Sequence, residues 1–138
     1  MQTKLNFQQS FLAALKAAGT AAVVNAVLYF ILHAAGIFTD DIFIQPNQPL
    51  SVVPIIISSI VPTLLAGVVF YFIEKYTNNG FNIFRVLAIV LLVLSFTSPF
   101  TQIPGVTMAY AIGLNVLHVV VVAALLYFLN AARPASGK

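Results

Sequence analysis

The 138-residue sequence has no cysteine and no tryptophan, and it carries only three acidic and six basic residues. The missing cysteine excludes disulfides, thiolate nucleophiles, iron–sulfur clusters and zinc–thiolate centres together. Only 7% of residues are charged, against roughly a quarter in soluble domains, which excludes an ordinary water-soluble unit. No Gly-rich phosphate loop, nucleophile elbow, HExxH sequence or pair of intramembrane acids occurs, so hydrolase and kinase chemistry has no support. The isoelectric point near 9.5 does not signal nucleic acid, because the six basic residues form no patch or stripe.

What the chain has is apolar length: 61% of it is hydrophobic, with a mean hydropathy of +1.03. Four apolar runs are separated by turn-rich segments, predicting an all-α membrane protein, a four-transmembrane-helix bundle in one membrane domain covering residues 1–138. The expected spans are about 11–38, 50–73, 81–98 and 107–129, with a disordered tail over 131–138. Breaks fall at Gln45-Pro46-Asn47-Gln48-Pro49, Asn78-Asn79-Gly80 and Thr97-Ser98-Pro99 through Ile103-Pro104-Gly105. The third run is the shortest. Phe7, Phe11 and Leu15 beside Lys4 and Lys16 predict an interfacial helix that leads into the first span. A cleavable signal peptide is the competing reading of that segment, and the expectation is a retained span.

Under this division every Lys and Arg lies on one side: Lys4 and Lys16, Lys75 and Arg85, Arg133 and Lys138. The opposite connections hold Asp40 and Asp41. The positive-inside rule then puts both termini in the cytoplasm. Tyr71, Tyr76, Tyr110 and Tyr127 fall near span ends, as a partial aromatic belt requires.

An unpaired amide or ionisable side chain in hydrocarbon costs on the order of 2 to 3 kcal/mol, so the few polar residues inside the spans are the informative ones. Asn25, Tyr29 and His33 recur every four residues along one face of the first span, and Asn115 and His118 share a face of the fourth. Depth estimated from helical rise pairs Asn25 with His118 at mid-membrane, Tyr29 and Asn115 a turn further out and His33 near the mouth. These five residues are the expected ligand or transport seam, open to the outside. His33 and His118 are the only imidazoles, but an offset of roughly 9 Å along the bundle argues against a bis-histidine haem, and no cofactor is expected. Two adjacent acids without further ligands do not make a metal site either.

The second span carries Pro54, Ser58 and Pro62 at four-residue spacing, an expected kink or hinge, because Pro62 removes the amide that would bond the Ser58 carbonyl. On another face Ser59, Thr63 and Gly67 form a ladder of small residues suited to close helix packing, within the chain or between copies. The outer connections are apolar, with Ile37, Phe38, Ile42, Phe43 and Ile44 around the two aspartates, and should fold back on the bundle.

The segments NQPLSVVPIIISSIVP (47–62), FTSPF with IPGV (96–106) and NVLHVV (115–120) resemble an uncharacterised bacterial family of small four-helix membrane proteins, over nearly the whole chain. The resemblance implies a bacterial inner-membrane location and four spans, and it transfers no functional residues. Similarity to small trimeric glutathione-linked membrane enzymes extends to length and span number alone, since Glu74 to Arg85 does not supply their arginine-rich inner loop. The expected function is binding or passage of a small molecule, lipid or proton at the polar seam. The competing reading is a structural or accessory subunit in a homo-oligomer or larger membrane complex, with Ser59, Thr63 and Gly67 meeting partner helices. A membrane-embedded enzyme ranks third. Membrane lipids are the expected surroundings, and nucleic acid is not a partner.

Overall fold

A computed structural model of the chain describes residues 4–134. The order of elements is α1 (Phe7–Ala34), β1 (Phe43–Gln45), β2 (Gln48–Pro49), α2 (Val52–Tyr76), α3 (Gly80–Ser95), α4 (Ser98–Gln102) and α5 (Met108–Ala132). Four helical segments are long and apolar enough to cross a membrane, the third being α3 continued through α4 as Gly80–Gln102. Alone, the 16 residues of α3 rise about 24 Å, short of a hydrocarbon core of roughly 30 Å, so the turn into α4 completes the span.

Local sequence explains where the helices stop. Asn6 opens α1 with a capping box: its side chain accepts from the Gln9 amide at 2.8 Å and the Gln9 side chain accepts from the Asn6 amide at 3.0 Å. The predicted amino-terminal helix is therefore continuous with the first span. α1 ends four residues before Phe38, because Gly36 takes φ +73° and the Gly36 and Ile37 amides bond back to the His33 and Leu32 carbonyls. That is a Schellman cap, with Ile37 and Leu32 supplying its apolar contact positions. Pro46 and Asn47 (φ +58°) turn β1 into the antiparallel β2, a short hairpin that the turn residues alone did not specify. Thr107 caps α5 by accepting from the Tyr110 amide at 3.2 Å. The tail expected to be disordered from residue 131 is helical through Ala132, and 135–138 lie outside the described residues.

α1 packs along α2 and α5, and α3 meets α2 and α5 without touching α1. The bundle has two cores. Towards the termini, Leu5, Ala13, Ala14 and Ala17 meet Phe70, Phe81, Phe84, Leu125 and Leu129, so all four spans contribute. Towards the hairpin, Tyr29, Phe38, Ile42, Leu50, Ile55, Tyr110 and Leu117 form a second core to which α3 contributes nothing. The apolar loop after α1 does fold back on the bundle. Phe38 is buried against Tyr110 and so close to Gly113 that a side chain there would strike its ring.

α3 is consequently the least enclosed span, with 11% of its most apolar stretch buried against 39% for α1. Near its start it is held against α2 by Phe81 and Phe84 packed edge-on to Phe70, and by Gly80 seated against Glu74. Near its end it is held against α5, where Asn115 donates to the Phe96 carbonyl at 3.2 Å. Crossing from one neighbour to the other, it leaves α2 uncovered in the hairpin half of the bundle.

Candidate functional site

The uncovered stretch is a cavity of about 670 Å³ between α2, α3 and α5. Its α2 wall is Pro54, Ser58, Pro62 and Ala66, its α3 wall is Phe84, Leu87, Ala88, Leu91 and Ser95, and its α5 wall is Leu117, His118, Val121 and Val122. Ile44 and Leu50 close the hairpin end, and Asn25 of α1 is at the floor. No charged side chain lines it. The volume falls within the roughly 300–1,000 Å³ of small-molecule pockets. Exposure of Ser58, Pro62 and Leu91 marks an opening between α2 and α3 on the flank of the bundle.

The hydroxyls on α2 bond within their own helix, while Asn25 and His118 reach across to neighbouring helices. Asn25 is 1% exposed and its amide nitrogen donates to Ser59 Oγ at 3.0 Å and to the Leu117 carbonyl at 3.2 Å. One side chain thereby ties α1 to both α2 and α5. Its Oδ1 has no partner among the described residues. The direct bond to His118 expected from depth is not formed, because Ser59 and the Leu117 carbonyl, both nearer along the packed faces, take both amide protons. Ser59 donates to the Ile55 carbonyl at 2.8 Å, Ser58 to the same carbonyl at 3.1 Å, and Thr63 to the Ser59 carbonyl at 2.6 Å. His118 instead faces α3, with Nδ1 3.4 Å from Ser95 Oγ.

Of the five seam residues, Asn25 and His118 line the cavity, and Tyr29, His33 and Asn115 do not. Tyr29 is buried beneath Phe38 and donates to the Leu50 carbonyl at 3.1 Å, anchoring the end of the hairpin. His33 lies at the surface, Nε2 3.2 Å from Asp40 Oδ1. Asn115 holds the end of α3. The two imidazoles thus face different neighbours, one at the surface and one in the cavity. Tyr110, expected in an interfacial belt, is fully buried, its hydroxyl without a partner among the described residues, because the returning Phe38 loop covers it.

Of the hinge residues, Pro54 lies in the first turn of α2, where its missing amide would be unbonded in any helix. Only Pro62 is interior, and α2 runs through it without a break. Lacking an amide proton, Pro62 cannot donate the usual intrahelical bond to the Ser58 carbonyl, and both residues line the cavity. The ladder is used inside the chain: Ser59 takes the Asn25 bond, Thr63 is buried, and a Cβ at Gly67 would collide with Ala14 of α1.

Sequence reasoning missed Ser95 and the α3 wall, since a Leu- and Val-rich helix has no periodicity that marks a cavity face. It also missed the burial of Glu74, which is 6% exposed at the α2–α3 corner against Gly80. Among the described residues no cluster of His, Cys, Asp or Glu is placed to hold a metal ion.

Four apolar spanning helices around an uncharged, side-opening cavity define a small multi-pass membrane protein. The chain belongs to a family of unknown function, DUF6069, whose model matches residues 6–135. No curated protein and no solved structure matches it significantly.

Proposed function

We infer that the protein binds a hydrophobic small molecule or lipid taken laterally from the bilayer into the cavity between α2, α3 and α5. The observation that carries this reading is the cavity itself: about 670 Å³, walled by apolar side chains with a short polar strip and no charge. A charged ligand would meet no counter-charge there and would bear its full desolvation cost. Ser59 and Gly67 are already occupied by α1, which removes the main support for the reading as a helix-docking subunit.

Native mass spectrometry of the protein released from mild detergent tests this. Wild-type protein is expected to retain an apolar adduct that Ala88→Phe, which narrows the cavity from its α3 wall, holds less of while unfolding at an unchanged temperature. Equal adducts on both proteins would overturn the reading. The asymmetry of basic residues supports a cytoplasmic location for both termini, and the resemblance to small bacterial four-helix membrane proteins supports an inner membrane.

A further inference from the structure

Resting on the cavity as a binding site, we propose that it selects neutral apolar molecules carrying a hydroxyl group, which dock by donating a hydrogen bond to His118 Nε2. The assignment comes from following each polar proton on the wall. Both amide protons of Asn25 are committed, to Ser59 and to the Leu117 carbonyl. The hydroxyl protons of Ser58, Ser59 and Thr63 are committed to carbonyls of α2.

Ser95 decides the imidazole. Its single proton lies on the 2.6 Å bond to the Leu92 carbonyl, so the 3.4 Å contact with His118 Nδ1 is made by the ring donating Nδ1–H to Ser95 Oγ. In a neutral imidazole the other nitrogen then carries a lone pair and no proton. His118 is half-buried, it lines the cavity, and its one hydrogen bond among the described residues is the Nδ1 contact, which leaves Nε2 for a ligand. Asn25 adds a second acceptor, its Oδ1, which has no partner among the described residues.

The side chains of the wall therefore offer acceptors and no free donor. An ester, ketone or ether brings only acceptors and leaves both sides unsatisfied, while a hydroxyl supplies the missing proton. The absence of charged lining residues excludes acids, amines and phosphates as preferred ligands. The class that fits is a long-chain or isoprenoid-like alcohol, or a phenol with an apolar tail.

The test titrates purified protein in detergent with 1-dodecanol, dodecyl methyl ether and dodecane, and reads occupancy by native mass spectrometry. Wild type is expected to bind dodecanol roughly threefold to tenfold better than the ether, the size of one net hydrogen bond. Differences in micelle partitioning cancel when wild type is compared with variants. His118→Phe should bring the ratio to about one while dodecane still binds. Ser95→Ala, which frees the ring to hold its proton on Nε2, should lower the ratio with little effect on folding, and it serves if His118→Phe does not fold. An alcohol-to-ether ratio that is the same in wild type and in both variants overturns the selection but leaves the cavity reading standing. No binding of any probe to wild type, with Ala88→Phe behaving identically, overturns the cavity reading itself.

Discussion

Asn25 shows how much one buried amide can organise and how little energy that requires. It bonds to α2 and α5 at once, yet interhelical hydrogen bonds in membranes average roughly 0.6 kcal/mol. Asn25→Leu is therefore expected to lower stability by only about 1 kcal/mol in detergent unfolding followed by circular dichroism, with α1 losing its fixed rotation against α5. Gly67 is the opposite case. A side chain there meets Ala14 in a contact between helices that have no room to part, so Gly67→Leu is expected to cost about 1 to 3 kcal/mol or more and to lower yield, the usual penalty of overpacking. His33 and Asp40 are 41% and 71% exposed, and surface pairs contribute roughly 0 to 1 kcal/mol. Asp40→Asn should leave the thermal unfolding midpoint nearly unchanged.

At the scale of elements, each terminus follows from a few neighbouring residues. The capping box at Asn6 and the glycine cap at Gly36 are legible as short patterns. Gly36 nevertheless lies within an apolar run extending to Phe38, and hydropathy averaged over that run hides the stop. Gly36→Val must hold a β-branched residue at φ +73°, where the left-handed conformation costs roughly 1 to 2 kcal/mol. Its expected effect is a loss of that size, read in thermal unfolding, with increased protease sensitivity of the loop around Phe38. Pro62 was visible as a helix irregularity, but its consequence was not. Only the tertiary structure shows that Ser58 and Pro62 line a cavity and do not pack against a neighbouring helix.

For the whole molecule, Lys4 donates to the Lys75 carbonyl and Arg133 stacks on Phe81 at one end of the bundle, and the aspartates lie at the hairpin end. Because the chain has no cysteine, single cysteines report topology without background. Asp41→Cys is expected to react with a membrane-impermeant maleimide on intact cells, and Asn78→Cys only after lysis; the reverse pattern would invert the proposed orientation. Hydropathy, charge asymmetry and turn residues sufficed to read four spans and their division from the sequence, because each is a sum over neighbouring residues and membrane insertion responds to such sums. The partners of the polar residues were decided by tertiary structure. Asn25 and His118 share a cavity without touching, Tyr29 and His33 serve the hairpin and surface, and the small-residue ladder is consumed by α1. Those outcomes depend on how each helix is rotated and where α3 crosses, and that is set by contacts such as Phe70 with Phe84 and Asn115 with Phe96, between residues too distant in the chain for any local pattern to record.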